Sequence, residues 1–291
     1  MPAVRGARPI KNKEVSDFHF HIDKNSLKIP TLDEYQTIWR EWINYSDCKS
    51  LQGLDAFTFA DYTQGTSQAF DQFILRHSKD RQIIVLDGDF QYHACLGKHL
   101  DFKWIPYPHY LEEHLDGLGL HALIISAPFS DFGSIHSDFE HIMEVCNVHD
   151  VPVCLDLAYW GISKNMHINL NDFPAIKEVT CSLSKPFHTL ENHRVGIRFT
   201  RDYVDDGVSM LNEVKMQNEY SMALGIEYMR NFSPDYNWQK YKTLYEDICQ
   251  EQDLVYTDTI IFGLGDEIRH SEFNRGVSGN YRVCVSEWLA D

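Results

Sequence analysis

Short apolar runs alternate with amphipathic stretches through the middle of the chain. The runs are rich in β-branched residues and lack strict apolar–polar alternation, which is typical of parallel strands covered on both faces. The stretches between them predict helices at Thr66–His77 and Ser137–His149, the second with Ser137 as its N-cap. This alternation predicts an α/β protein with a mostly parallel, doubly wound sheet. The predicted strands are Gln82–Leu86, Ala122–Ser126, Val151–Leu157, Val179–Leu183 and Val195–Phe199.

The pattern changes after the last of these strands. Apolar residues at helical spacing predict one long helix over Asp205–Phe232 and another over Tyr236–Gln252. Two short strands, Thr259–Phe262 and Tyr281–Val285, predict a small, reduced C-terminal α+β domain. We therefore expect an N-terminal segment over residues 1–60, a large domain over 61–205, a helical bridge over 206–255 and the small domain over 256–291.

Composition narrows the class of partner. The 291 residues include 26 Lys and Arg against 43 Asp and Glu, for a net charge of −17. Such a charge disfavours nucleic acid and anionic membranes as partners, because both would be repelled. No apolar run reaches the roughly 18 residues of a membrane span. Seven scattered cysteines without a C-x-x-C pair fit reduced thiols, so we expect a cytoplasmic enzyme.

A lysine follows directly after one predicted strand, in the segment Cys181–Gly196. A partly desolvated lysine at a strand end can have a lowered pKa and act as a Schiff-base nucleophile. Ser182 and Arg194 in the same segment could bind a phosphate, the arginine through a charged fork. From this segment alone, a surface lysine in a loop is an equally good interpretation.

Three further segments carry candidate chemistry at strand ends or helix starts. Asp156 ends an apolar strand, where a carboxylate needs a cation such as a protonated pyridine nitrogen, and Tyr159 could reach a phenolic oxygen. Gly65 and Thr66 begin a predicted helix, whose N-terminus favours an anion. Phe90 follows another strand and could cover a flat ring. Taken singly, these residues also fit ordinary helix caps and core packing.

Together and in this order, the four segments resemble the pyridoxal-5′-phosphate enzymes of the aspartate aminotransferase superfamily (fold type I, aminotransferase class I/II). The similarity extends from about Tyr62 to Phe199, and the chain resembles a shortened member. Its motifs are Asp156-Leu-Ala-Tyr159-Trp-Gly161 for D-x-A-Y-x-G, Ser182-Leu-Ser-Lys185 for S-x-S-K, Arg194-Val-Gly for R-[IV]-G, and Gly65-x-x-x-Ala69 for the glycine element at the cofactor phosphate.

The resemblance implies a role for each matching residue. Lys185 would form the Schiff base with pyridoxal phosphate and move the substrate α-proton, Asp156 would pair with the pyridine nitrogen, and Tyr159 would bind the phenolic oxygen. Arg282 would bind the substrate carboxylate, with Arg269 and Arg275 as alternatives in the same loop. The phosphate would be held by Gly65, Thr66, Ser182 and Arg194, and Phe90 would stack on the ring.

The implied protein is a homodimeric aminotransferase acting on an amino acid and a keto acid. Lyase, decarboxylase or cyclase chemistry on the same fold remains an alternative. The chain departs from the family pattern at two places. Lys185 and Arg194 are nine residues apart, one more than usual, and Ser126–Gly133 replaces the usual N-P-x-N-P-x-G, with Ser130 as the substitute for its asparagine. These departures affect the tuning of the cofactor and therefore the type of reaction.

A metal site is the alternative from another class. Asp17-Phe-His19-Phe-His21 has the D-x-H-x-H form of zinc-dependent hydrolases, in which two histidines on one face of a first strand ligate the metal. The later strand ends carry Asp156 and Lys185, and the other histidines fall mostly in predicted helices or loops. We therefore favour a structural role for His19 and His21 or a place at the mouth of the active site.

Overall fold

The computed structural model describes residues 6–100, 102–105, 120–275 and 279–291. A seven-stranded sheet forms its centre. The strands are β2 (Phe59–Gln64), β3 (Gln82–Leu86), β4 (Phe102–Ile105), β5 (His121–Ser126), β6 (Val153–Leu157), β8 (Ile176–Ser182) and β9 (Val195–Thr200). Their order in the sheet is β2-β9-β8-β6-β5-β3-β4. Only β9 runs against the others among these strands, because it pairs antiparallel with β8 and β2.

Helices cover the sheet and connect its strands. They are α1 (Lys13–His21), α2 (Leu32–Asn44), α3 (Thr66–His77), α4 (Gln91–Leu96), α5 (Phe139–Val148), α6 (Gly207–Glu213), α7 (Glu219–Asn231), α8 (Tyr236–Glu251) and α9 (Glu267–His270). Within the described ranges, no helix has both the length and the apolar character that crossing a bilayer requires.

The remaining strands that the structure describes form two small sheets. One pairs β1 (Ser50–Gln52) with β7 (His167–Asn169) in parallel. The other is antiparallel and consists of β10 (Val255–Tyr256), β11 (Phe262–Leu264) and β12 (Arg282–Cys284). A separate apolar cluster joins this second sheet to α8 and includes Tyr159 and Ile10. The N-terminal segment therefore packs against the C-terminal part of the chain.

The two faces of the central sheet are both buried. Alternate residues of β3 and β5 point to opposite sides, so that Ile83 and Val85 pack against α3, whereas Ile84 and Leu86 belong to the larger cluster with α2, α5 and α7. Burial on both faces explains why these strands read as continuous apolar runs. The predicted class, a mostly parallel α/β sheet with helices on both sides, is confirmed.

Several predicted elements differ in detail. β9 is antiparallel rather than parallel, because the chain returns from β8 through a loop without a crossover helix. The last strands are β11 and β12, so the predicted strand at Thr259–Phe262 begins later. α5 begins after Asp138 rather than after Ser137, and Asp138 makes no side-chain cap.

The predicted long helix is two helices. α6 ends at Glu213 and α7 begins at Glu219, with Lys215 in the left-handed region at φ 58° between them. Asn218 caps α7 by accepting a hydrogen bond from the Ser221 backbone N–H at 3.0 Å. A cap in the middle of an apolar repeat breaks the helix without changing the spacing of its apolar residues, so periodicity alone did not reveal it.

Candidate functional site

The carboxyl ends of β3, β5, β6 and β8 lie at one edge of the sheet, where open α/β sheets bind ligands. A cavity of about 100 Å³ opens there. The structure brings most of the predicted site residues to its wall: Thr66, Phe90, Asp156, Tyr159, Ser182, Lys185 and Arg194.

Lys185 follows β8 and faces the cavity. Its Nζ donates a hydrogen bond to the Ala7 carbonyl oxygen at 2.6 Å, so the N-terminal segment passes beside the amine. Burial lowers the pKa of Lys185, while the carboxylate of Glu191, also in the cavity wall, acts in the opposite direction. A lysine with a lowered pKa keeps more of its amine in the nucleophilic, unprotonated form.

Asp156 lies near the carboxyl end of β6 and is buried. One carboxylate oxygen accepts hydrogen bonds from the Thr180 hydroxyl at 3.1 Å and from the Ala158 backbone N–H at 3.0 Å. Burial, followed by the nearby charge of Asp89, raises the pKa of Asp156 to about 7. The group is therefore poised to bind a cation, because a positive charge at this place would stabilise the ionised carboxylate.

Gly65 and Arg194 form a cradle at the start of α3. Gly65 has φ 71°, and a Cβ there would lie 2.5 Å from Nη2 of Arg194, so only glycine leaves room for the guanidinium. That Nη2 donates to the Ser67 hydroxyl at 3.0 Å and to the Gln64 carbonyl at 3.2 Å. Gly65 provides no side-chain cap, and the helix N-terminus adds its own attraction for an anion.

Tyr159 and Ser130 also line the cavity. Burial raises the pKa of Tyr159, while Arg282 and a hydrogen bond with Ser130 act in the opposite direction. Ser130 is thus placed beside the tyrosine hydroxyl, as its proposed substitution for an asparagine requires. Phe90 is about a third exposed, at 36%, and stacks on Tyr92 with ring centroids 5.9 Å apart.

The predicted carboxylate-binding arginine lies behind the cavity wall. Arg282 is buried, donates to the carbonyl oxygen of Ser130, and lies 4.2 Å above the ring of Phe262. Arg275 reaches the same carbonyl oxygen at 3.2 Å. Arg269 is elsewhere, exposed and paired with other carboxylates. Two of the three candidate arginines are thus near the site.

Sequence reasoning missed several residues of this site. Ser126 and Glu191 line the cavity, and Ala7 contacts the lysine. Asp89 is buried beside Ser126, whose backbone N–H donates to it at 2.9 Å. Asp89 follows β3 as Asp156 ends β6, so the argument used for Asp156 could have found it. Nothing in the sequence indicated the approach of Ala7.

The metal alternative depended on a strand that the structure does not form. His19 and His21 belong to α1, and positions two apart on a helix do not face each other. Nδ1 of His19 is 2.9 Å from the Tyr228 hydroxyl, and Nδ1 of His21 is 2.7 Å from the carbonyl oxygen of Asp17. Across the ranges that the structure describes, no group of three His, Cys, Asp or Glu could hold a metal ion. The strand prediction for this segment is wrong.

No family model and no curated protein sequence matches the chain. Solved structures do match it. The pyridoxal-phosphate-bound C-S lyase of Staphylococcus hominis is similar with TM-score 0.70 and 12% identity, over 98% of this chain and 86% of that one. A pyridoxal-phosphate-bound putative aminotransferase of Clostridium difficile 630 gives 0.69 and 12%, over 94% and 84%.

The aspartate aminotransferase of Thermus thermophilus with maleate gives TM-score 0.65 and 14% identity, over 97% of this chain and 86% of that one. At such identities the likeness shows the fold alone. The fold of this chain is thus the one shared by these lyase and aminotransferase structures, and the expected fold type I architecture is confirmed.

Proposed function

We propose that this chain is a pyridoxal-5′-phosphate-dependent enzyme that transfers amino groups between an amino acid and a keto acid, with Lys185 as the residue that holds the cofactor. One observation carries the proposal. The partly desolvated amine of Lys185 and the buried carboxylate of Asp156 line one cavity, beside a helix N-terminus at which Gly65 and Arg194 form an anion cradle.

The residues present fit this cofactor. The cradle suits a phosphate, because Thr66, Ser182 and the guanidinium of Arg194 supply hydroxyl and charged donors. Asp156 suits a protonated ring nitrogen, since its carboxylate otherwise carries a raised pKa for want of a cation. Phe90 offers an aromatic face, and Tyr159 offers a hydroxyl to a phenolic oxygen.

Pyridoxal phosphate supplies, when bound, an aldehyde that combines with amines and a ring that accepts electrons from bonds at the substrate Cα. The protein residues do the remaining work. The lowered pKa of Lys185 favours the unprotonated amine, which attacks a carbonyl carbon and can accept a proton from carbon. Asp156 would pair with the positive charge on the protonated ring nitrogen.

Substrate binding falls to the arginines near Ser130. Arg282 already donates to the carbonyl oxygen of Ser130, so a substrate carboxylate would compete with that oxygen for the guanidinium. A charged acceptor makes the stronger hydrogen bond, and burial strengthens it further. The proposal therefore takes an α-amino acid as substrate, and it includes a homodimer, which rests on the family resemblance alone.

A donor screen tests the reaction. Purified protein with pyridoxal phosphate is incubated with single amino acids and either 2-oxoglutarate or pyruvate, and amino-acid products are quantified. We expect at least one donor to yield glutamate or alanine, and Lys185→Ala to lower the rate about 10³-fold, because the residue that moves the proton is lost. Lys28→Ala, which changes an exposed lysine, should leave the rate unchanged.

The products also separate the alternatives. A keto acid formed without any acceptor, together with ammonia or a thiol, would assign lyase chemistry to the same site. Absence of conversion and of bound cofactor would contradict the proposal as a whole.

A further inference from the structure

Asp89 is a buried carboxylate beside the cavity that the proposed function does not use. It lies in the turn after β3 and is 2% exposed. Its carboxylate accepts hydrogen bonds from the Ser126 backbone N–H at 2.9 Å, from the Ser126 hydroxyl, and from the Phe90 backbone N–H at 2.7 Å. All these donors are uncharged. Burial raises the pKa of Asp89, while these hydrogen bonds and the charge of Arg275 act in the opposite direction.

Ser126 connects Asp89 to Asp156. Ser126 lines the cavity and is the register partner of Asp156 in the neighbouring parallel strands β5 and β6. Partners in adjacent strands are about 4.8 Å apart and project to the same face. The Ser126 hydroxyl also accepts the backbone N–H of Ser130 at 3.1 Å, which fixes the turn that contacts Tyr159. Asp89 therefore supports this wall of the cavity and adds charge behind it.

Asp89 and Asp156 place two carboxyl groups at this end of the cavity, and the charge of Asp89 raises the pKa of Asp156. The described donors to the Asp156 carboxylate are the hydroxyls of Thr180 and Thr66 and the Ala158 amide. Arg275 approaches Asp89 but donates to its backbone oxygen at 3.1 Å, and its guanidinium is paired with Asp131 at 3.3 Å. A positively charged ligand bound in this part of the cavity would stabilise the ionised form of both carboxyl groups.

We propose that Asp89 is a positioning residue for the ring of the bound cofactor and that it acts through Ser126. Because of Asp89, this end of the cavity binds a ring whose nitrogen carries a positive charge more tightly than a neutral ring of the same shape. The inference rests on the proposed function. In this inference, the selectivity for a charged ring nitrogen comes from two carboxylates, Asp89 and Asp156, rather than from Asp156 alone.

Two ligands of the same shape test this selectivity. Dissociation constants are measured for pyridoxal phosphate and for its analogue in which CH replaces the ring nitrogen, with wild type, Asp89→Asn and Asp156→Asn. We expect wild type to bind pyridoxal phosphate more tightly than the analogue. Asp89→Asn should lower this ratio of affinities, the preference, about tenfold, with little change in the dissociation constant of the analogue. Asp156→Asn should lose more, because its carboxylate faces the cavity directly.

A control separates charge from folding. Asp71→Asn removes a carboxylate from α3 that accepts the Tyr92 hydroxyl at 2.7 Å and does not line the cavity, so it should leave the preference unchanged. If Asp89→Asn does not fold, Ser126→Ala is measured in its place. It removes the hydroxyl that donates to Asp89, and we expect about a threefold loss of preference.

Each outcome decides the inference. Equal weakening of both ligands in Asp89→Asn would mean that Asp89 only supports the fold, and an unchanged preference would mean that its charge does not reach the ring. Either result overturns the inference while leaving the proposed function in place. If wild type binds neither ligand at Lys185, the proposed function fails, and the inference fails with it.

Discussion

Buried aspartates of this chain ionise differently according to the partners that the fold gives them. Asp235 accepts hydrogen bonds from the ammonium of Lys49 and the hydroxyl of Ser46. Burial alone would raise the pKa of Asp235, but the positive charge of Lys49 and these hydrogen bonds lower it. The described donors to Asp156 are hydroxyls and an amide, and burial, followed by the charge of Asp89, raises its pKa to about 7. This difference supports the proposal that a bound ligand supplies the charged partner of Asp156.

Protonation of Asp156 gives the cofactor-free protein a pH dependence of known sign. The folded state holds this proton up to about pH 7, whereas the unfolded chain releases it near the ordinary aspartate pKa. The stabilising contribution is therefore complete at low pH and is lost as the pH rises. Relative to Asp156→Asn, the free energy of unfolding of wild type should fall by about 3 kcal/mol between about pH 4.5 and 7.

Urea denaturation of both proteins at several pH values, without cofactor, measures this difference. A difference that stays constant with pH would contradict the account, because Asp156 would then titrate alike in the folded and unfolded states.

At the scale of elements, α1 contacts the loop between Lys185 and Arg194, the two cations proposed to contact the cofactor. The Ser16 hydroxyl lies 3.0 Å from Nε2 of His188, in the turn between Lys185 and Arg194. Phe18 packs edge-on against Tyr228, with ring centroids 5.1 Å apart. α1 therefore docks on α7 and this loop together, and its position bears on the site although the helix lies outside the cavity.

Two phenylalanines of α1 test this docking as a matched pair. Phe18 packs against Tyr228 and Phe232, whereas Phe20 is 83% exposed. Phe18→Ala should lower the free energy of unfolding by about 2 kcal/mol, because it leaves a space in a partly buried aromatic cluster. Phe20→Ala should change it by less than about 0.5 kcal/mol.

Denaturation curves give the energies, and hydrogen exchange over residues 13–22 shows whether α1 alone loosens. Equal effects of the two substitutions would contradict the packing of α1 on α7.

For the whole molecule, the fold and most of the cavity wall could be predicted because they depend on local patterns. The apolar runs that became β3, β5 and β6 are buried on both faces, and the ordered motifs around Asp156 and Lys185 follow strands whose ends share one edge. Sequence spacing carries this information directly.

The remaining features depend on contacts between distant parts of the chain. The alternation in Asp17–His21 resembled a strand, yet Asn12 caps a helix there by accepting the Val15 backbone N–H at 3.2 Å. Ala7 meets Lys185 across 178 positions, and Arg282 meets Ser130 across 152. No local pattern encodes such contacts, which is why the N-terminal approach to the lysine and the place of Arg282 needed the structure.

Covalent capture of the cofactor tests the central claim most directly. Wild type and Lys185→Ala are incubated with pyridoxal phosphate, reduced with borohydride and digested, and the peptides are identified by mass. We predict one reduced pyridoxyl-phosphate group per chain on the peptide that contains Lys185, and its loss in Lys185→Ala. A wild-type protein that carries no such group, or carries it on another lysine to the same extent in both proteins, would contradict the account.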